Sequence, residues 1–407
     1  MKKIAIVNNG ELPLPAVKGG AVECLIDLLL NENEKYGKVR FEVFSIYDKD
    51  AAEASKKYKY ASFVYVDEKS FSSKIKYLFT RIVNFVAFRA GGYYRCLSLH
   101  REMSRKIMQH RNDYAAILLE GASINTYYLK HKTNLPVIAR YHNLPTRKLR
   151  QFDTFNAQAT DLYLGISEFV CNQLRQVEGK WCPNIERLYN SVEFNKFQKE
   201  LNDGELLGMR HKLGIEADDF VVMFSGRMRE FKGIKQLLEA MLLCRDTRNI
   251  KLLAVGSSFF SSDQKTAFEK SLEPIIDQMR EKVIFTGYVQ YGEMYKYYKL
   301  ADVCAFPSIW EEPFALTCLE ALVCGKPVII TESGGMVEVV DDECAIIVPN
   351  DADLPAHLSK AIKQLYTDRE RIKSMAIAAK KRAEHFSPDN HYKRFCEIIN
   401  QNFDIKA

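Results

Sequence analysis

Short apolar runs rich in β-branched residues alternate with longer amphipathic stretches along the whole chain, and this alternation restricts the fold more than any other feature. KIAIVNN (3–9), ECLIDLLLNE (23–32) and FEVFSIY (41–47) open the series. Strand-length apolar runs separated by helix-period sequence predict βαβ units and a parallel sheet. Further strands are expected in AAILLE (115–120), PVIARYH (136–142) and DLYLGIS (161–167), which complete one doubly wound domain. QKELNDGELLGMRHKLGIEADDF (198–220) is polar and charged, and reads as linker and surface helix. A second series then opens with FVVMFSGR (220–227), NIKLLAVGS (249–257), KVIFTGYV (282–289), ADVCAFPS (301–308), KPVIIT (326–331) and CAIIVPN (344–350).

A chain of 407 residues is longer than one hydrophobic core usually supports. The expected architecture is therefore α/β, with two Rossmann-like doubly wound domains facing a central cleft. Residues 1–190 form the first, 191–385 the second, and 386–407 a terminal helix that packs back on the first. No run reaches the roughly 18 apolar residues of a spanning helix, and the apolar run behind Lys2 and Lys3 is too short for a secretion signal. The expectation is a cytoplasmic protein. Ten cysteines without a CxxC pair, several inside apolar runs, are expected to be buried free thiols rather than disulfides or zinc ligands.

Charge is divided unevenly. Residues 1–190 hold 29 basic and 19 acidic residues, net +10, whereas 191–407 hold 29 and 33, net −4. Within 71–110, eight basic residues face one acid, Glu102. An anionic partner for the first half follows.

In open α/β sheets ligands collect beyond the carboxyl ends of strands, so the loops there carry the chemistry. ADVCAFPS is such a strand, IWEEP its loop, and FALTCLEALVCG a helix stopped by Gly325. Pro313 suits the first turn of that helix. Glu312 then stands at the helix entrance and Glu320 inside it, while the N–H groups of Phe314, Ala315 and Leu316 are placed to bind a diphosphate. Carboxylates bind phosphate poorly but accept hydrogen bonds from sugar hydroxyls, so a helix entrance combined with carboxylates suits a nucleotide sugar. The D-x-D triplets at 48–50 and 351–353 could mimic a metal site; they are read as surface turns.

The run from Glu312 to Glu320 resembles the E-x7-E motif of the retaining glycosyltransferases of family 4, which adopt the GT-B fold. Other pieces follow in the family's order: GGAVE (19–23), ARYHN (139–143), GISEFVCNQL (165–174), LYNSVEFNKF (188–197), SGRMREFKG (225–233) and VIFTGYV (283–289). The resemblance covers nearly the whole chain. It implies that Arg227 and Lys232 neutralise the donor diphosphate, where fixed cations stabilise the charge that develops as the leaving group departs. It implies further that Glu312 holds donor-sugar hydroxyls, Glu320 the ribose, and His142 the region of the anomeric carbon. The spacing selects Glu312 over its neighbour Glu311. The backbone of Ser333, Gly334 and Gly335 would approach the donor, as would the loop at Gly19 and Gly20. Ala315 stands where the family often has glycine. The alternative readings, taken residue by residue, are plain turns for the glycine pairs, a charged surface helix start for GRMREFKG and a structural histidine for His142.

The function implied is retaining hexosyl transfer from a nucleotide sugar, a UDP-sugar by family frequency, to a saccharide acceptor in capsule, exopolysaccharide or cell-wall synthesis. No metal or other cofactor is expected, no protein general base, and no nucleic-acid partner. KIKYLFTRIVNFVAFRAGGYYR (74–95) places Ile75, Leu78, Phe79, Ile82, Phe85 and Val86 on one helical stripe among basic residues. It reads either as a helix packed on the first sheet or as one lying on an anionic membrane. In the second case the chain is peripheral on the inner face of the plasma membrane and its acceptor is polyprenyl-diphosphate-linked. Two rival readings remain, a GT-B phosphorylase or epimerase needing no acceptor, and a non-catalytic nucleotide-sugar-binding partner subunit.

Overall fold

In a computed structural model the chain forms two compact units, Met1–Ser191 with Pro388–Ala407, and Val192–Ser387. The structure describes residues 3–403 except 9–10, 68–74, 76–77, 80–81, 83–97, 122–125, 146–150, 178–179, 181, 183, 248 and 257–265.

The first unit is built on a seven-stranded, wholly parallel sheet. Its strands are β1 (Lys3–Asn8), β2 (Arg40–Ile46), β3 (Ala61–Val66), β4 (Tyr114–Glu120), β5 (Val137–Tyr141), β6 (Leu162–Gly165) and β7 (Ile185–Arg187), in the order β3-β2-β1-β4-β5-β6-β7. Side chains alternate between faces along a strand, and both faces are covered, as βαβ crossovers require. Ile4, Ile6, Phe41, Val43, Leu118 and Ile138 face a core with Ile26, Leu29 and Leu30 of the helix Ala21–Tyr36. Ala5, Val7, Phe44, Ile117 and Leu119 face the other side, against Met103, Ile107 and Leu129.

The closing helix Pro388–Phe403 packs on the first of these faces through Tyr392, Phe395, Ile398 and Ile399. Tyr392 stacks on Tyr36 with ring centroids 5.3 Å apart, and its hydroxyl donates to Asn33 Oδ1 at 2.6 Å.

The second unit has a six-stranded parallel sheet of β8 (Phe220–Ser225), β9 (Ile250–Val255), β10 (Val283–Phe285), β11 (Val303–Phe306), β12 (Val328–Thr331) and β13 (Ala345–Val348), in the order β10-β9-β8-β11-β12-β13. Phe220, Val222 and Phe224 pack on the helices Ile234–Leu243 and Leu354–Thr367. The stretch before β8 carries the exposed helix Asp203–Lys212, started by a capping box between Asn202 and Glu205.

Two strands lie outside those expected from the sequence. β3 is largely half-buried, so its apolar pattern is diluted, and β7 is three residues long. The D-x-D triplet at 351–353 is a turn, whereas the one at 48–50 is not: it opens the helix Lys49–Ala54 with Asp48 as N-cap. Asp48 accepts from the N–H groups of Asp50 and Ala51, and Asp351 from that of Asp353. All nine described cysteines are free and eight are buried. Of the 74–95 stripe, Ile75, Leu78, Phe79 and Ile82 are helical and exposed; Phe85, Val86, Arg81, Arg89 and Arg95 lie outside the described residues. Among the described residues no helix is long and apolar enough to cross a membrane.

Candidate active site

Within the second unit the strand order reverses direction between β8 and β11, which is where an open α/β sheet leaves a crevice at its carboxyl edge. The loops after β8 and β11 are bound together there. A short 3₁₀ turn, Glu230–Lys232, ends at Gly233, which has φ of 72°. A Cβ at Gly233 would lie 1.7 Å from the Pro307 carbonyl oxygen, so no other residue permits this approach. The Phe231 carbonyl accepts from the Ile309 N–H at 3.0 Å and from Ser308 Oγ at 3.1 Å.

This clamp brings Lys232 and Glu312, eighty residues apart, into contact. Lys232 Nζ donates to Glu312 Oε1 at 2.5 Å, and Ser308 Oγ lies 2.8 Å from the same oxygen. Glu312 is only 5 % exposed, whereas Glu311 is exposed. The loop after β12 secures the other side, with the Gly335 N–H donating to the Glu312 carbonyl at 2.7 Å and Ser333 Oγ to that of Trp310. Ser333, Gly334 and Gly335 thus brace the Glu312 backbone, and Gly334 has φ of 51°. Arg227 is exposed and has no ion-pair partner among the described residues. A paired lysine and an unpaired arginine therefore share the loop after β8. A dianionic ligand can recruit the first only by competing with Glu312.

The helix after this loop begins later than the sequence suggested. It spans Leu316–Val323 with Ala315 as N-cap, so Pro313 and Phe314 precede it. Phe314 is held outside by its edge-on contact with Phe386, centroids 5.8 Å apart. The first-turn donors are consequently those of Leu316, Thr317 and Cys318, and of the expected trio Phe314, Ala315 and Leu316 only the last is among them. Gly325 ends the helix with φ of 70°.

Glu320 lies on this helix and is buried. The Tyr298 hydroxyl donates to its Oε2 at 2.9 Å and sits 2.8 Å from Ser225 Oγ at the end of β8. Burial pushes the Glu320 carboxyl up to about 7, against the pull of the Tyr298 and Tyr291 hydroxyls. The folded state thus keeps a proton that the unfolded chain releases near the ordinary 4.5, so stability falls as pH rises from 4.5 through 7. Glu320→Gln, neutral and still able to accept from Tyr298, is expected to raise the melting temperature at pH 8 by about 5 °C and to leave it unchanged at pH 4. Thermal denaturation at the two pH values checks this.

In the first unit the corresponding reversal lies between β1 and β4. Asn8, Glu120 and Arg140 stand side by side at the ends of β1, β4 and β5. His142 follows β5, its Nε2 2.7 Å from Glu120 Oε2. Arg140, 1 % exposed, places Nη1 3.6 Å from Glu120 Oε1 and donates from Nη2 to Asn190 Oδ1 at 3.0 Å. Burial alone would raise the Glu120 carboxyl, but Arg140 and the His142 hydrogen bond hold it below its ordinary value. Burial lowers His142 despite Glu120. Its neutral ring therefore donates Nε2–H to the carboxylate and leaves Nδ1 as acceptor.

His391 of the closing helix joins this cluster, with Nδ1 2.6 Å from the Tyr189 carbonyl. Burial, then Arg140, lowers it to about 3. Gly19 and Gly20 have φ of 74° and 98°, and Gly20 caps the helix Ala21–Tyr36. A Cβ at Gly20 would meet Glu23 Oε2 at 2.2 Å, while one at Gly19 would meet nothing within 4 Å. Glu120, Arg140, Ser308, Tyr298 and His391 escaped sequence reasoning. An arginine inside the apolar strand IARY was the available signal, because a buried guanidinium requires a carboxylate.

Comparison with known proteins gives a consistent picture. Residues 208–382 match the family described as glycosyl transferases group 1. The chain is 24% identical to the putative glycosyltransferase YtcC of Bacillus subtilis over 98% of its length and 92% of that protein's. It is 30% identical to the uncharacterized glycosyltransferase MJ1607 of Methanocaldococcus jannaschii, a match spanning 46% of this chain and 45%, about half, of the relative. Among solved structures, Alr3699/HepE of Anabaena in complex with UDP superposes with a TM-score of 0.73 at 18% identity, covering 98% of this chain and 100% of that one. The lipopolysaccharide outer core galactosyltransferase WaaB gives 0.65 at 17% identity, covering 98% and 99%. These structural likenesses establish the fold, two doubly wound domains of the GT-B type.

Proposed function

We propose that this chain, whose residues 208–382 match the family described as glycosyl transferases group 1, moves a hexosyl group from a UDP-sugar to a saccharide acceptor with retention of configuration and without a metal. The observation that carries the reading is the Lys232–Glu312–Ser308 cluster beside the unpaired Arg227 at the strand-order reversal of the second unit. Arg227 and Lys232 would grip the diphosphate, whose charge grows as the C1–O bond breaks, so their stabilisation is greatest in the transition state. Glu312, once Lys232 turns to phosphate, would accept hydrogen bonds from sugar hydroxyls, and Glu320 from the ribose. In the first unit, the neutral His142 fixed by Glu120 would offer Nδ1 to a carbohydrate hydroxyl. The acceptor oxygen forms its bond to C1 on the face the phosphate vacates, and its proton passes to the leaving phosphate oxygen.

The deciding experiment is a thermal-shift screen of UDP-, GDP- and ADP-sugars in EDTA, because a ligand that binds only the folded form raises its apparent stability. The expected result is a shift with UDP-sugars, undiminished by EDTA. No shift with any of them overturns the reading. Assays with and without acceptor separate transfer from a phosphorylase or epimerase reaction, and any turnover rules out a non-catalytic subunit.

The acceptor is proposed to be lipid-linked and the chain peripheral on an anionic membrane. The support is the exposed row Ile75, Leu78, Phe79 and Ile82, spaced at helical intervals in a segment where basic residues outnumber acids eight to one over 71–110. Changing Arg81, Arg89 and Arg95 to glutamate is expected to abolish co-sedimentation with phosphatidylglycerol vesicles. Unchanged sedimentation would remove the membrane from the proposal.

A further inference from the structure

Trp310 is the residue of the candidate site that the reaction outlined above leaves unused. It is 37 % exposed, large for a tryptophan placed two residues before a buried carboxylate. Its backbone is held on both sides, by Ser333 Oγ on its own carbonyl and by the bond between the Ile309 N–H and the Phe231 carbonyl. Its ring leans on that of Phe231, centroids 5.1 Å apart and planes 57° apart. Lys232 Nζ lies 6.0 Å from the Trp310 ring and 5.8 Å from that of Phe231. An aromatic pair, Trp310 exposed and Phe231 half-buried, is thus fixed beside one carboxylate and one ammonium group.

Burying Trp310 would have gained hydrophobic stabilisation, yet the surrounding hydrogen bonds hold it at the surface. The electron-rich face of an indole attracts the weakly positive C–H groups on one face of a pyranose, while the hydroxyls around the sugar's rim need charged or polar partners. Both requirements are met within this one loop cluster. We propose that Trp310 and Phe231 form a stacking platform for a pyranose ring, with Glu312 receiving that sugar's hydroxyls. This deepens the nucleotide-sugar reading and rests on it. The platform recognises the sugar and contributes nothing to the nucleotide, so it separates binding of the activated sugar from binding of the bare nucleotide.

The test is calorimetric titration of the full chain with UDP and with UDP-glucose, UDP-galactose and UDP-N-acetylglucosamine, for the wild type, Trp310→Leu and Trp310→Phe. Acceptor KM is measured alongside, and melting curves confirm folding. The expected result is that Trp310→Leu weakens the preferred UDP-sugar roughly 3–10-fold, with UDP unchanged and Trp310→Phe restoring most of the loss. A rise in acceptor KM at unchanged UDP-sugar affinity also supports the platform and assigns it to the acceptor's ring. Equal weakening of UDP and UDP-sugar, or no change in any constant, overturns it. If the wild type binds neither UDP nor a UDP-sugar, the nucleotide-sugar reading falls first and the platform with it.

Discussion

Replacing Lys232 with alanine is expected to lower kcat by about 10²–10³-fold, the usual consequence of removing one fixed group that stabilises developing negative charge. Two effects combine in this substitution, and they can be separated. In the proposed reaction the lost cation would act on the leaving diphosphate. The loss also strands Glu312, nearly buried and left with Ser308 alone on its Oε1. Lys232→Ala should therefore also lower the melting temperature, while Lys232→Ala combined with Glu312→Gln should recover stability and remain inactive. Lys232→Arg keeps the charge but replaces a compact ammonium with a wider planar fork, so partial activity is expected. Steady-state assays with parallel melting curves check each variant. Normal turnover by Lys232→Ala would remove this residue from the mechanism.

Arg140→Met should be the most damaging substitution for stability. It leaves Glu120 as an uncompensated charge in a fully buried site, and breaking such a pair costs about 3–5 kcal/mol. Adding Glu120→Gln removes the stranded charge and should recover part of the loss. Chemical denaturation followed by two probes measures both.

The cluster also sets a pH dependence. Glu120 is held below its ordinary value, so its contribution is present above the unfolded pKa and lost as pH falls through the folded one. His391, lowered to about 3, is neutral when folded, whereas the unfolded chain takes up its proton below 6.5, so it too costs stability as pH falls. The first unit should weaken towards acid. The second, through Glu320, weakens towards neutral and above. Melting curves at pH 5 and pH 8 should shift the two units in opposite directions.

Glu312 shows what spacing can reveal. An E-x7-E run behind a strand singled out Glu312 over Glu311 with no coordinates at all, and the structure buries Glu312 against Lys232 while leaving Glu311 exposed, because placement in a loop at a strand end is local. Pro313 shows the limit of the same reasoning. Its fixed φ suits a first turn, but Phe314 docks on Phe386, seventy-two residues away, and the helix waits until Leu316. Glu120 and Arg140 were both inside predicted strands and passed as ordinary strand residues. Only the register of β4 against β5 sets them side by side.

The amino-acid order alone determined the alternation of strands and helices, the parallel sheets and which charged side chains stand in the loops at strand ends, since these follow from periodicity, turn chemistry and side-chain type over a few neighbouring positions. Tertiary structure alone decided which charges meet. The approach of Gly233 to Pro307 sets Lys232 on Glu312, and the return of the closing helix brings His391 to Arg140. Charge pairing and burial depend on distances between segments remote in the chain, and no local pattern encodes those distances.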